Sequence, residues 1–226
     1  MVYPKKTMNT IIPNGTQQLL DAATNGDYQK TKDLLSQGID PNIPVLKERG
    51  SHVYDFYPLL YAIKNGHISI AKLLIESGAN VNIATKTDGE TPLHRACMVT
   101  TERKPWGETF IVYSQPHYEL IQYLVERGAN VNAEGGFCLT PLLQAVSTKN
   151  VEIAEYLLNN GADVNAQLEW VDENESRDTA LGEAVMKNDA NMVKLLLKYK
   201  ACPTQETLEE AVEIGNQEII DAISKQ

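Results

Sequence analysis

Leucine stands three residues before alanine at Leu19/Ala22, Leu59/Ala62, Leu93/Ala96, Leu142/Ala145, Leu181/Ala184 and Leu208/Ala211. Behind the first four alanines a glycine follows at sixteen residues (Gly38, Gly78, Gly161), or at that distance plus a further sixteen-residue insert (Gly128). A fixed offset of this kind predicts an array of stacked units rather than one domain folded around a cleft. The unit from Thr140 shows how each is built. Leu142, Ala145 and Val146 fall at i, i+3 and i+4, one apolar face of a short helix, and Val151, Ile153, Ala154, Leu157 and Leu158 give a second helix of about eight residues. Helices this short persist only when packed. Thr140 is placed to cap the first, Pro141 suits its first position, and Gly161 ends the second in a left-handed turn.

The motif is specific enough to name a family. Thr91-Pro-Leu-His-Arg-Ala96 opens one unit, and Tyr57-Pro-Leu-Leu-Tyr-Ala62 opens another in nearly the same way. Gly78-Ala-Asn-Val-Asn82, Gly128-Ala-Asn-Val-Asn132 and Gly161-Ala-Asp-Val-Asn165 close three of them. This pattern resembles the ankyrin repeat, whose units start T-P-L-H-x-A and finish G-A-D/N-V-N. The resemblance implies an all-α solenoid of helix-turn-helix units joined by hairpin-like loops. The expected organisation is an N-terminal extension at 1–16 and a single domain at 17–226, with units near 17–43, 57–83, 91–133, 140–166, 179–204 and 207–226. The end units depart from the pattern. The first lacks Thr-Pro, and the fifth carries Lys200 where glycine is expected, which puts its exit turn in question. The last is expected to act as a cap, turning Leu208, Ala211, Val212, Ile219, Ile220 and Ile223 inward and its glutamates outward.

Interruptions of the period map to surface segments. From the last asparagine of one unit to the proline position of the next the undisturbed spacing is nine, as between Asn132 and Pro141. It grows to sixteen between Asn42 and Pro58 and to fifteen between Asn165 and Ala180, and the third unit holds sixteen extra residues between Ala96 and Gly128. These insertions carry His52, Tyr54 and Phe56, then Trp106, Phe110 and Tyr113, then Trp170, so both tryptophans lie in them. The last adds Glu169, Asp172, Glu173, Glu175 and Asp178 against one Arg177. Large aromatics dominate binding hot spots, which makes Tyr54, Phe56, Trp106, Phe110, Tyr113 and Trp170, with Asp172, Glu173 and Glu175, the candidate protein contacts. The competing reading is that the aromatics tuck against their own repeats as small satellite cores.

Composition narrows the partners. A net charge of -10 and a pI near 4.9 disfavour phosphate backbones and anionic membranes and favour a protein with a basic patch. There is no apolar run of membrane-spanning length and no visible secretory signal. Cys97, Cys138 and Cys202 share no pairing pattern, consistent with reduced thiols in the cytoplasm. His94 and Cys97, three apart, are the one pair that could hold a metal on a helix face, but Cys97 sits in a slot filled elsewhere by alanine, isoleucine or valine. No phosphate loop, CxxC pair or nucleophile elbow appears.

The resemblance implies a non-enzymatic protein-interaction module, an adaptor or inhibitor that needs no cofactor or metal and works as a monomer through its concave surface and insertions. Other readings stay open. One is a bacterial effector acting on a host protein, since its Glu-rich C-terminal stretch resembles some export signals. Another is an enzyme whose site is assembled around His52, His94 or Cys97, and a third is a spacer with no defined partner.

Overall fold

The computed structural model describes residues 14–49, 52–98, 100–103, 109–112, 116–135, 139–166 and 179–225. It divides into two compact units, Met1–Ala79 and Asn80–Gln226. In the first, α1 (Asn14–Asn25) and α2 (Tyr28–Ser36) are followed by strands β1 (Val45–Arg49) and β2 (His52–Phe56), then α3 (Pro58–Lys64) and α4 (Ile68–Glu76). In the second, α5 (Pro92–Cys97) is followed by β3 (Thr100–Arg103), β4 (Thr109–Val112) and α6 (Pro116–Glu126). Three further helix pairs complete it: α7 (Pro141–Ser147) with α8 (Val151–Asn159), α9 (Ala180–Met186) with α10 (Ala190–Lys198), and α11 (Gln205–Ile214) with α12 (Gln217–Ser224).

The Leu-to-Ala spacing lies on the first helix of every pair and is buried there, apart from Leu208, which is half-buried. Each pair buries the face of its second helix as well: Ile70, Ala71 and Leu74 on α4, for example, and Ile153, Ala154 and Leu157 on α8. Helix starts follow the expected chemistry. The hydroxyls of Thr91, Thr140, Thr179 and Thr204 accept from the backbone N–H groups of His94, Leu143, Gly182 and Thr207. Pro58, Pro92 and Pro141 occupy first helical turns, where no N–H is needed.

The exit turns also repeat. Gly38, Gly78, Gly128 and Gly161 are left-handed, and the N–H of the following residue bonds back to a carbonyl in the helix, as from Ala162 to Leu157. Lys200 takes the same conformation at φ 66°, and Ala201 bonds back to Leu196 in the same way. The fifth exit turn therefore forms without glycine, at the steric cost of a β-carbon in the left-handed region.

The asparagine closing each unit does the joining. Asn132 Nδ2 donates to Gly161 O (2.9 Å) while its Oδ1 accepts from Asp163 N (2.8 Å). Asn82 makes the same two bonds to Gly128 O and Asn130 N, and Asn165 to Lys200 O and Cys202 N. In the first unit Asn42 Nδ2 donates to Gly78 O. One side chain thus satisfies two backbone groups of the next turn and fixes the spacing between repeats.

Two insertions differ from the loops expected of them. β1 and β2 form an antiparallel hairpin with Val45 opposite Phe56 and Lys47 opposite Tyr54. β3 and β4 form a second, with Glu102 opposite Phe110. They are minor additions to a helical repeat fold.

Candidate protein interface

The β1–β2 hairpin grades from covered base to open tip. Val45 is buried and β1 contacts α1; Asp55 is buried on the other face of the ribbon. Burial, and then the Asp55 carboxylate that its hydroxyl bonds, push the Tyr57 hydroxyl up from its ordinary pKa. Phe56 is half-buried, with its ring 5.3 Å from that of Tyr61 on α3 and the Lys47 ammonium 5.1 Å from its centroid. Towards the tip the side chains open to water: Tyr54 is 36% exposed and Val53 50% exposed, and the His52 ring lies 6.4 Å from that of Tyr54. Strand alternation places Tyr54 and Phe56 on one face and Val53 and Asp55 on the other. The base thus anchors the ribbon, and its tip presents an aromatic and an aliphatic side chain.

Of the other candidate contacts, Phe110 lies on β4, and its backbone alone is described. Trp106, Tyr113, Trp170, Asp172, Glu173 and Glu175 lie outside the described residues.

The second unit contains a cavity of about 300 Å³ lined by Asp88, Glu90, His94, Arg95, Met98, Gly135, Leu139 and Gln144. The histidine in it is committed to structure. His94 Nε2 is 2.7 Å from Leu139 O, and Nδ1 accepts from the N–H of Thr91 (3.3 Å) with the Thr91 hydroxyl 2.8 Å away. These partners specify the tautomer protonated at Nε2. Burial holds the His94 pKa below its ordinary value, against a smaller opposing effect of the bonded Leu139 carbonyl. A β-carbon on Gly135 would stand 3.1 Å from His94 Nε2, so glycine lets the next turn close over the ring. Arg95 pairs with Glu90, while its Nε is buried with no partner among the described residues.

Cys97 is fully covered, and burial pushes its thiol far above the range in which a thiolate forms; Cys202 is exposed. His67 Nε2 lies 3.1 Å from Thr24 O, with Gly26 packed against the ring. Among the described residues no group of three or more His, Cys, Asp or Glu is arranged to hold a metal, and no helix is long and apolar enough to cross a membrane.

Two family models for ankyrin repeats match the chain, one over residues 19–103 and 98–168 and one over 148–197. The chain belongs to the ankyrin-repeat family, an all-α class that typically serves as a non-catalytic protein–protein interaction module. It is similar to an ankyrin repeat protein of Fowlpox virus (strain NVSL), 29% identical in an alignment of 154 residues that covers 61% of this chain and 19% of the viral protein. It is 35% identical over 86 residues to an ankyrin repeat-containing protein of Schizosaccharomyces pombe, covering 38% of this chain and 36% of that one. An E3 ubiquitin-protein ligase of Arabidopsis thaliana is 35% identical over 81 residues, 36% of this chain and 15% of the ligase. The chain spans about a fifth of the fowlpox protein's length.

Proposed function

We propose that this protein is a non-enzymatic adaptor or inhibitor that holds one protein partner, with residues 17–226 serving as its interaction domain and the β1–β2 tip supplying a principal contact. The observation that carries the reading is the gradient along that hairpin, from buried Val45 to Tyr54 and Val53 held open to water. Exposed large side chains on a braced ribbon lose little freedom on binding, and this is how aromatic anchors contribute affinity. The acidic balance, net -10, favours a partner with a basic patch and disfavours nucleic acid. Monomeric action in a reducing, cytoplasmic setting fits the unpaired Cys97 and Cys202.

An enzymatic reading around His94 and Cys97 has less support. Both ring nitrogens of His94 are engaged within the fold and the Cys97 sulfur is sealed off. The similarity to the Arabidopsis ligase covers 15% of that protein and supports the repeat family rather than ligation.

Photocrosslinking tests the proposal. With p-benzoylphenylalanine in place of Tyr54, a discrete adduct with a single partner is expected in native lysate. The same probe in place of Gln29, exposed on α2, is expected to give none. Adducts from position 29 and none from position 54 would remove the hairpin from the interface.

A further inference from the structure

The first helix of every unit repeats its leucine and its alanine, but the residue just before the alanine differs each time: Asp21, Tyr61, Arg95, Gln144, Glu183 and Glu210. None of these six is buried, so packing does not dictate the choice. In the second unit Arg95 on α5 and Gln144 on α7 hold this position on helices that pack together, and both line the cavity of about 300 Å³. That volume lies at the lower end of the roughly 300–1,000 Å³ of ligand pockets, room for one long side chain rather than a cofactor. Met98 and Leu139 give it apolar walls. Its charges are the carboxylates of Asp88 and Glu90 against one guanidinium. Glu90 is paired with Arg95, and His94, held below its ordinary pKa by burial, is neutral near pH 7. The charge left over is that of Asp88.

Asp88 is exposed yet held in place. Gly89 N–H donates to Thr85 O, Thr85 N–H to Glu90 O and Glu90 N–H to Thr85 Oγ1, which closes the turn on which Asp88 stands. Gly89 is left-handed there, at φ 61°, and a β-carbon on it would stand 3.3 Å from Glu134 O in the following connection. The hydroxyls of Thr85 and Thr87 donate to Asp88 Oδ1; both are neutral, so the carboxylate keeps its charge. Its Oδ2 and the Gln144 carboxamide make no hydrogen bond among the described residues.

We propose that this cavity is a socket for an arginine side chain of a partner protein. Asp88 supplies the opposite charge and the Gln144 carboxamide oxygen a second acceptor. A planar guanidinium serves two acceptors at once, whereas a lysine ammonium is a point charge without that fork. The aliphatic stem of the arginine lies along Met98 and Leu139. An acidic side chain would meet like charge, and a neutral one would leave Asp88 uncompensated. The braced turn means that little order is gained at Asp88 on binding. One charge pair at an open mouth is screened by salt, so the socket is a single anchor that fixes register within a larger contact. It lies wholly within the second unit and uses no residue of the β1–β2 hairpin, so it goes beyond the hairpin contact and is tested apart from it.

The test titrates the full chain, isotopically labelled for NMR, with N-acetyl-arginine methylamide, which stands for an arginine within a protein. Its comparators are the citrulline form, of the same shape without the charge, the lysine form, and free arginine. Saturable shifts are expected at the Gly89 amide, the Gln144 carboxamide and the Met98 methyl group. Affinity for the arginine form is expected to exceed that for each comparator by about fivefold or more at low salt, with the margin over citrulline shrinking at high salt. Asp88→Asn keeps the shape and still accepts the threonine hydroxyls. It is expected to bind the arginine form no better than the citrulline form, with an unchanged urea midpoint. Gln144→Leu is expected to erase the preference for arginine over lysine. Tyr54→Ser is expected to titrate like the parent, so failure of the hairpin contact and failure of the socket are told apart. No saturable shift, equal binding of the citrulline form, or a preference retained by Asp88→Asn would overturn the proposal. So would tighter binding of the lysine form, or of free arginine, since the occupant would then be a different cation.

Discussion

The His94 corner of the second unit and the β1–β2 hairpin of the first hold the residues most suggestive of chemistry, and they treat them in opposite ways. At the corner, a histidine and an arginine–glutamate pair line a cavity, yet the histidine's hydrogen-bonding capacity is used within the fold. At the hairpin, the base is spent on anchoring and the tip is left open. A side chain in a repeat slot has a neighbour above or below it, and its polar groups are drawn into joining repeats. At the tip of the hairpin, outside the period, Val53 and Tyr54 stay open to water.

Substitutions in a slot and out of it should sharpen this contrast most. Leu142→Ala, in a fully buried slot, is expected to cost roughly 2–5 kcal/mol in urea unfolding, while Tyr54→Ala at the hairpin tip should stay within about 0.5 kcal/mol. Comparable losses would show that the hairpin is part of the core. Asn132→Ala removes the two bonds joining the fourth repeat to its predecessor, and a loss of about 1–3 kcal/mol is expected at ~0.5–1.5 per bond. An unchanged midpoint would mean that packing alone sets the spacing.

A smaller gain is expected from Lys200→Gly, about 0.5–1 kcal/mol, because relief of left-handed strain exceeds the added freedom of the unfolded chain. A loss there would show that the lysine side chain compensates its own backbone. The smallest effect concerns pH. The His94 pKa is lowered from 6.5 by burial, so the unfolded chain binds the extra proton first as pH falls. The contribution of neutral His94 is complete above pH 6.5 and declines as pH falls below it towards the folded pKa. His94→Gln, compared by urea midpoints from about pH 7 to 5.5, should flatten that decline. A slope equal to that of the parent would assign it to other groups.

The helical scaffold was legible because its determinants are local. Leu142, Ala145, Thr140 and Gly161 act within one helix pair, and their spacing alone places them. What the sequence did not reveal depends on distant partners. Strand pairing sets Val45 against Phe56, and neither segment declares that register on its own. The closing asparagines stood out as a motif, but the carbonyls they meet lie 29 to 46 residues further on. Val212 fits the apolar pattern as well as Val146 or Val185, yet they are buried and it is exposed. Likewise Tyr54 and Phe56 read alike as insertion aromatics, and the packing of Tyr61 separates them.

The central claim, that residues outside the repeat period carry recognition while those inside it carry stability, is tested most directly on one variant. Val53→Ser/Tyr54→Ser would be compared with the parent for both urea unfolding and retention of the partner crosslinked at position 54. The account predicts an unfolding midpoint equal to that of the parent and loss of the partner. A lowered midpoint with the partner retained would contradict it.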